Sequence, residues 1–437
     1  MPKFDVAVVG LGAMGSATLY ALARHGVSAV GIERFEPAHS RSSSFGESRV
    51  IRLAYFEHPS YVPLLRGAYQ AWRDLEAFTK SSILTVTGMI EAGYPGAHVV
   101  EGSLRAAREH GLAHEELTAK EVNERFPAFN LPLDWQCVFQ PEAGALQPEK
   151  AICLQVASAR ELGATVKLHV RVREVLPVRD HVEVYLVDGS MIEAGSAVVA
   201  VGSWIGDVVP ELGKVMRLTR QPLMWFNPRQ KTLVQPDRMP VFFFQSQGSL
   251  TYGLPDIFGT GVKAASHMSE GDITSPEQPR AEVSEAEKER LHSILAQYLP
   301  AAAGEITRTS VCVYTRSPDE HFVLGSHPKA PQIVLASPCS GHGFKFSSIF
   351  GEILADLATR RATNWPIALF RPDRYIIVIT AYEQFSSGGA QISLDTLRAD
   401  LTNAHPHTFR GLVFYNSVVN SWSEDLRLLI TEAFGSR

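Results

Sequence analysis

The chain has 437 residues, of which 45% are hydrophobic and 20% are charged, and it contains 33 Gly and 26 Pro. This composition is typical of a globular protein with a large core, and it excludes disordered chains, fibrous chains and disulfide-held miniproteins. Lys plus Arg number 41 against 46 Asp plus Glu, a formal net charge of −5. We therefore expect no nucleic-acid partner and no attraction to anionic lipid.

The apolar runs, such as 197–201 and 241–244, have the length of strands and fall far short of the roughly 20 residues that span a bilayer. The N-terminal residues enter a Gly-rich turn at Gly10, which leaves no room for a secretory signal. The four cysteines have neither the spacing of a zinc site nor that of a disulfide framework. These features predict a cytoplasmic protein with no membrane partner and no metal.

The clearest local pattern lies near the N-terminus. An apolar strand over 4–9 leads into a G-x-G-x-x-G turn, a helix follows over 16–25, and a second strand ends at Glu33. The three glycines permit, in order, the tight turn, the approach of a pyrophosphate to the backbone, and close packing of helix on strand: Gly10, Gly12 and Gly15. The helix N-terminus offers N–H donors to an anion, and Glu33 would accept a ribose hydroxyl. The pattern predicts a dinucleotide site without distinguishing NAD from FAD.

Beyond this unit, the hydrophobic periodicity predicts further helices and strands, with an antiparallel sheet between 216 and 309. The predicted helices cover residues 61–78, 102–110, 119–126, 148–162, 284–298 and 347–359. The predicted strands cover residues 83–90, 165–170, 172–178, 181–187, 197–201, 217–225, 241–245, 250–254, 261–265 and 332–338. Near the C-terminus we predict strands at 375–380 and 411–415 and helices at 394–404 and 424–434.

Five further motifs combine charged, aromatic and Gly residues. They are G-x-S-R-x-I-R at 46–52, Tyr-Gly-Leu-Pro at 252–255, Gly-Val-Lys at 261–263 with His267 nearby, Cys-Val-Tyr-Thr at 312–315 running into Pro-Asp-Glu-His-Phe at 318–322, and Ser-Gly-His-Gly-Phe-Lys-Phe at 340–346. Together with the G-x-G-x-x-G turn and Glu33, they resemble the monomeric sarcosine oxidase family, which includes N-methyltryptophan oxidase and pipecolate oxidase. The resemblance extends from residue 4 to about residue 374.

The resemblance implies an α/β (mixed α+β) fold, in which a Rossmann-like FAD-binding domain is interleaved with an antiparallel-sheet substrate domain. The FAD-binding domain is expected to comprise residues 1–79, 141–215 and 311–374. The substrate domain is expected to comprise residues 80–140 and 216–310. Residues 375–437 would form a C-terminal extension of unknown role.

Members of this family are FAD-dependent amine oxidases, so the resemblance implies FAD as cofactor. The matching cofactor-binding residues are Gly10, Gly12, Met14, Gly15, Glu33, Arg34, Ser42, Ser48, Cys312, Gly341, Gly343, Phe344 and Lys345. Cys312 matches the cysteine that forms a thioether with the flavin 8α-methyl group. Such a thiol needs a neighbouring cation or N–H donor to become a thiolate, and Arg316 is one candidate.

The implied activity is oxidation of a secondary N-methyl α-amino acid by O₂, giving H₂O₂, formaldehyde and the primary amino acid, with a sarcosine-like substrate as the leading candidate. Arg52 and Lys345 match a clamp for the substrate carboxylate, which suits an Arg fork and a Lys point charge. Lys263 matches the residue that places a cation where negative charge develops on oxygen. The other matched residues are Arg49 at the flavin, His267 and Tyr314, which with Lys263 would be catalytic, and Tyr252, which would bind the substrate.

The chain differs from the family pattern at two positions: Phe45 stands where relatives carry His, and Ser48 stands where they carry Thr. These differences leave the identity of the substrate undetermined. A larger or cyclic substrate, such as N-methyltryptophan or pipecolate, is one alternative. A dehydrogenase of the same fold with another electron acceptor is a second alternative, against which Lys263 argues. A flavin-binding protein without turnover is a third, against which the intact cations argue. We expect a small-molecule substrate and O₂ as partners and leave the oligomeric state open, with a monomer favoured.

Overall fold

The computed structural model describes residues 3–267, 271–278 and 280–376. It begins with the strand β1 (Phe4–Val9), the helix α1 (Ala13–Arg24) and the strand β2 (Ala29–Ile32), which confirms the order predicted for this unit. The helix starts three residues before the predicted Ser16, because Gly12 is its extended N-cap and Gly15 already lies in its first turn. A Cβ at Gly15 would overlap the Gly10 carbonyl oxygen, so the motif is built into the helix itself.

The other elements follow in two stretches. From 49 to 199 they are β3 (Arg49–Ile51), α2 (Val62–Thr79), β4 (Leu84–Val86), β5 (Met89–Gly93), α3 (His98–His110), β6 (Glu115–Thr118), α4 (Ala119–Arg125), β7 (Gln136–Gln140), β8 (Gly144–Leu146), α5 (Pro148–Glu161), β9 (Thr165–Lys167), β10 (Val172–Val178), β11 (His181–Leu186) and β12 (Met191–Val199). From 205 to 360 they are α6 (Ile205–Val208), α7 (Pro210–Gly213), β13 (Arg217–Phe226), β14 (Val241–Ser246), β15 (Ser249–Leu254), β16 (Val262–Ser266), β17 (Asp272–Ile273), α8 (Glu285–Tyr298), β18 (Ile306–Arg316), β19 (Val323–His327), β20 (Ala330–Ser337) and α9 (Ser347–Arg360).

The first sheet has eight strands in the order β10-β11-β12-β1-β2-β9, with β20 on β12 and β19 on β20. At its centre β1 runs parallel to both β2 and β12, and α1 packs against α5 and α9. Strand β12 starts well before the predicted 197–201, because its first half pairs antiparallel with β11 before its second half joins β1. Its end brings Ala200 against the dinucleotide turn, where Ala200 N donates to Val9 O at 2.8 Å.

The second sheet has nine strands. Eight follow the order β17-β13-β16-β15-β14-β5-β7-β6, and β18 also pairs with β13. It is mainly antiparallel, although β14 runs parallel to β5. Buried aromatic side chains under it, such as Phe242 and Phe244, form a core separate from the one beneath the first sheet. The sequence prediction missed β18, whose first half is polar and exposed, and this strand places Cys312 opposite Gln221.

A third sheet has three strands, in the order β3-β8-β4. Strand β18 lies wholly in the nine-stranded sheet and crosses the predicted boundary at 310/311, while the division into interleaved domains remains a prediction. Residues 373–376 are helical, so the strand predicted to start at Tyr375 is wrong for its first two residues. The rest of the predicted C-terminal elements lie outside the described residues.

Candidate active site

A cavity of about 330 Å³ is lined by residues of both large sheets. The lining residues that the sequence predicted are Gly10, Gly12, Met14, Glu33, Arg34, Ser42, Arg49, Arg52, Tyr252, His267, Cys312, Tyr314, Gly341, Gly343, Phe344 and Lys345. Gly15, Ser48 and Lys263 are not among the residues that line it. The fold therefore gathers segments that are up to 335 positions apart, from Gly10 to Lys345, around one space.

The dinucleotide turn has the conformation that its glycines predict. Gly10 has φ +87°, and a Cβ there would lie 2.6 Å from the Ala200 carbonyl oxygen. A Cβ at Gly12 would meet no described atom within 4 Å, so the backbone there is open to the cavity. Glu33 accepts from Leu11 N at 2.7 Å through Oε2 and from Phe35 N at 2.9 Å through Oε1. Burial raises the pKa of this carboxyl despite both bonds.

Two buried polar atoms of the cavity lining, His39 Nδ1 and Ser43 Oγ, have no hydrogen-bond partner among the described residues. Such groups are rarely left unpaired in a folded protein, so they fit a polar ligand that adds the missing partners. Arg34 and Arg41 both pair with Glu277, which also accepts from Trp204 Nε1 at 2.8 Å. This cluster holds the segment around Glu277 against the dinucleotide side of the cavity.

Arg49 and Lys263 both lie close to Gly46, since a Cβ there would be 3.6 Å from Arg49 Nη1 and 3.6 Å from Lys263 Nζ. The Lys263 ammonium is buried and donates to Gly46 O at 2.7 Å and to Ser48 O at 2.8 Å. Burial and the Arg49 charge hold the pKa of Lys263 well below its usual value. The carbonyl oxygens thus fix a lysine whose positive charge is costly to keep.

Cys312 is buried and donates to Ser43 O at 3.2 Å. Arg49 Nη2 lies 3.8 Å from its Sγ. Arg316, which we expected beside this thiol, instead forms an ion pair with Glu320. The cation beside Cys312 is therefore Arg49, which comes from a segment that the sequence could not place there.

The two cations predicted to clamp a carboxylate share one aromatic ring. Arg52 Cζ lies 4.3 Å and Lys345 Nζ 5.1 Å from the centroid of Tyr55. Lys345 Nζ donates to His342 O at 2.8 Å and to Tyr55 Oη at 3.3 Å. Burial and the nearby Arg52 charge lower the pKa of Lys345 to about 7.

Arg52 is held by two carboxylates that the sequence analysis did not single out. Its Nη2 lies 2.6 Å from Glu57 Oε2, and its Nε lies 3.1 Å from Glu91 Oε1. Glu57 lines the cavity, whereas Glu91 on β5 is fully buried behind it. Burial, opposed by Arg52, raises the pKa of Glu91 to about 7. The signal for Glu91 was present, because a carboxylate in the apolar strand 89–93 demands a partner.

His342 fixes the orientation of Tyr55. Its Nε2 lies 3.0 Å from Glu320 O, and its Nδ1 lies 2.7 Å from Tyr55 Oη. Burial lowers the pKa of His342 well below its usual value, so the ring is neutral, donates from Nε2 and accepts the Tyr55 proton at Nδ1. The Tyr55 oxygen is then free to accept from Lys345.

Aromatic rings form the neighbouring wall. His267 lies 6.2 Å from Tyr252, 5.9 Å from Tyr314 and 5.6 Å from Phe243 between ring centroids. Burial lowers the pKa of His267 to about 3, so it contributes a neutral ring. This wall suits an apolar or uncharged group beside a carboxylate.

The loop 340–346 is shaped by close contacts. Gly341 has φ +82°, and a Cβ there would overlap the Tyr314 ring. Phe344 stacks on Trp72 with 5.8 Å between centroids, and Trp72 Nε1 donates to Lys345 O at 3.0 Å. These contacts set the position of Lys345 relative to Arg52.

The sequence was compared with known proteins. Residues 5–357 match the family described as FAD dependent oxidoreductase. The chain belongs to this family. It is 36% identical over 378 residues to monomeric sarcosine oxidase of Streptomyces avermitilis, covering 85% of this chain and 98% of that protein. It is 28% identical to N-methyl-L-tryptophan oxidase of Yersinia pestis, covering 85% and 99%. The resemblance found in the motifs is confirmed.

Among solved structures, the open form of NikD, an amino acid oxidase, superposes with a TM-score of 0.75 at 24% identity, covering 85% of this chain and 98% of that one. This likeness supports the mixed α/β fold. As a member of the FAD-dependent oxidoreductase family, the protein takes FAD as cofactor, and the open backbone at Gly12, the Glu33 carboxylate and the unpaired His39 and Ser43 atoms fit it.

No helix within residues 3–267, 271–278 and 280–376 has the length and hydropathy to cross a bilayer. No group of three or more His, Cys, Asp or Glu in them is arranged to hold a metal ion.

Proposed function

We propose that the protein is an oxidase of small secondary α-amino acids, with sarcosine the leading substrate. In that reaction one sarcosine, one water and one O₂ give one glycine, one formaldehyde and one H₂O₂. When bound, FAD accepts two electrons and a proton from the C–H beside nitrogen and passes the electrons to O₂. The chain itself binds the substrate, orients that C–H bond and supplies the charges around it.

One observation carries the proposal, namely the meeting of Arg52 and Lys345 on the ring of Tyr55 beside the cavity. Two cations that face one cavity are suited to a single small anion, and a carboxylate can take two donors from an Arg fork and a third from Lys. The relatives named for sarcosine and N-methyltryptophan, which are N-methyl amino acids, support this choice.

The aromatic wall would hold the part of the substrate next to the carboxylate. Neutral His267 and the rings of Tyr252 and Tyr314 offer no cation to repel a protonated amine and no anion to trap it. We propose that these three residues orient the amine and its methyl group, and that the ammonium proton of the substrate passes to solvent before the C–H bond breaks.

We propose that Lys263 and Arg49 act on the oxygen side of the reaction. Both side chains lie close to Gly46. Their positive charges there would stabilise the negative charge that develops as O₂ is reduced. Ser48, whose carbonyl and hydroxyl oxygens lie 2.8 and 3.3 Å from Lys263 Nζ, would position this lysine rather than touch the cofactor.

We propose that Cys312 carries FAD covalently. The buried thiol lines the cavity, and Arg49 Nη2 lies 3.8 Å from its Sγ. Cys312 would hold the cofactor through a carbon–sulfur bond to its 8α-methyl group; the bond would replace one S–H and one C–H bond, and O₂ would take up the two electrons and two protons as H₂O₂. None of the four cysteines forms a disulfide, which fits the reducing cytoplasm that we propose as the compartment. We also propose that the protein is a monomer.

The test is oxygen uptake and peroxide release with purified protein on sarcosine, N-methyltryptophan, pipecolate and glycine. We expect sarcosine to give one H₂O₂ per formaldehyde and glycine to be inactive. Turnover with an artificial electron acceptor but without O₂ consumption would instead favour the dehydrogenase alternative. No turnover with any acceptor would contradict an enzymatic role for these substrates.

A further inference from the structure

The Arg52 guanidinium faces more negative charge than it can balance. Glu57 and Glu91 both pair with it, at 2.6 and 3.1 Å, and all three side chains are buried or nearly so. At pH 8 Lys345, with a pKa of about 7, is mostly neutral. The cluster that should receive an anion therefore holds one fixed positive charge against two carboxylates.

A third carboxylate cannot enter such a buried cluster without compensation, because each uncompensated buried charge costs several kcal/mol. The cluster can respond in two ways. Either one carboxylate side chain moves away from Arg52, or one of the titratable groups takes up a proton. Glu57 lies at the cavity and could move, but Glu91 is fully buried on β5. For Glu91, protonation is the response that its surroundings permit.

The polar groups around Glu91 favour its carboxylate form, yet together with Arg52 they do not offset the effect of burial. Gln140 on β7 donates from Nε2 to Glu91 Oε2 at 2.7 Å, and the same amide also bonds the backbone of Ala54. On α3, the Ser103 hydroxyl lies near the carboxyl group and has no hydrogen-bond partner among the described residues. That hydroxyl can accept a bond from a protonated acid.

The remaining neighbours are Arg52, Glu57 and, on β14, Phe243 at the opposite register position. Of these, only Arg52 favours the charged form, and Glu57 opposes it. An arriving anion competes for Arg52 and adds a further negative charge, and both effects shift Glu91 toward its acid form. Burial already places its pKa at about 7, so the shift takes effect at physiological pH.

We propose that Glu91 is a positioning residue that takes up a proton from solvent when the substrate carboxylate binds Arg52 and Lys345. Glu91 holds Arg52 from behind through Nε while the cavity-facing nitrogens turn to the ligand. Protonation keeps that contact, because the neutral acid still accepts from Nε. The inference rests on the proposed function, since it requires a carboxylate ligand in this cavity.

The experiment is calorimetric titration of the holoenzyme with 2-furoate at pH 8 in two buffers of different ionisation enthalpy. This ligand has a carboxylate and no amine, so any proton uptake comes from the protein. We expect wild type to take up about one to two protons, shared between Glu91 and Lys345, and Glu91→Gln to take up about one fewer. Above pH 7 the affinity of wild type should fall more steeply with pH than that of Glu91→Gln.

Glu287→Gln is the matched control, because Glu287 also pairs with a poorly exposed Arg but does not line the cavity. It should keep the wild-type uptake. Difference infrared spectra of wild type should gain a carboxylic-acid band on binding 2-furoate, and this band should be absent in Glu91→Gln.

Equal proton uptake by wild type and Glu91→Gln, or no acid band in wild type, would overturn the role of Glu91 and leave the carboxylate clamp intact. Absence of 2-furoate binding to wild type would overturn both this inference and the proposed clamp.

Discussion

The turn of residues 10–15 and the cluster around Tyr55 are both suited to anions, but they obtain their positive character differently. In the turn, it comes from backbone N–H groups at the start of a helix, and glycines remove the side chains that would block it. In the cluster, it comes from Arg52 and Lys345, and Lys345 and the neighbouring Glu91 each have a pKa of about 7. The turn is fixed by shape and insensitive to pH, whereas the cluster depends on a balance of charges.

This difference predicts which kind of substitution impairs anion binding in each region. A change of shape should damage the turn, and a change of charge should damage the cluster.

Removing a cation from the cluster should weaken substrate carboxylate binding most. We expect Lys345→Gln to lower kcat/KM for sarcosine by about 30- to 1000-fold, or ~2–4 kcal/mol, since one partner of a desolvated charge pair is lost. Thermal stability should change little, because Lys345 leaves no carboxylate unpaired. Equal kcat/KM in variant and wild type would remove Lys345 from the clamp.

Arg52→Gln should behave differently, because it also leaves Glu57 and Glu91 facing one another without a cation. We expect it to destabilise the protein as well as to weaken binding. The double variant Arg52→Gln with Glu91→Gln should recover part of the stability but none of the activity. Recovery of activity in the double variant would contradict direct contact between Arg52 and substrate.

Lys263→Met should slow reoxidation by O₂ roughly 10²- to 10³-fold, the usual effect of one preorganised charge, while slowing substrate oxidation far less. Because burial lowers the pKa of Lys263, the cation is lost as pH rises, so wild-type reoxidation should slow with increasing pH. Stopped-flow measurements of the two half-reactions separate these effects. Equal slowing of both would assign Lys263 a structural role.

Gly15→Ala and Gly12→Ala should separate shape from access in the turn. A Cβ at Gly15 overlaps the Gly10 carbonyl, so we expect a loss of about 1–3 kcal/mol in the free energy of unfolding. A Cβ at Gly12 meets no described atom within 4 Å, so the free energy of unfolding should not change, while the purified variant should contain less bound FAD than wild type. Denaturant unfolding and the flavin absorbance of purified protein measure the two; the reverse pattern would contradict the assigned roles.

Cys312→Ser tests the covalent link. Acid-precipitated wild type should stay yellow, and the variant should release its flavin to the supernatant. Cys339→Ser, which changes another cavity cysteine, serves as the control and should stay yellow. Free FAD from the wild type would contradict attachment at Cys312.

The two regions also differ in how far the sequence predicted them. The turn was predictable because its strand, helix and glycines are local in sequence. Arg52 and Lys345 were found through motifs, but Glu91 and Tyr55 were not, because their roles exist only where β5, β7 and the segment after β3 meet. Arg316 was misplaced beside Cys312 because it pairs with Glu320, four residues further along the chain. Long-range pairing, which residue patterns do not encode, decided the cases of Glu91 and Tyr55.

The central claim is that Arg52 and Lys345 select the carboxylate of a secondary amino acid. The most direct measurement compares kcat/KM for sarcosine with that for N-methylethylamine, a secondary amine with a methyl group in place of the carboxylate, in wild type and in Lys345→Gln. We expect wild type to prefer sarcosine by at least the ~30- to 1000-fold effect of one lost ionic partner, and the variant to lose most of that preference. Equal kcat/KM for the two compounds in wild type would contradict the claim.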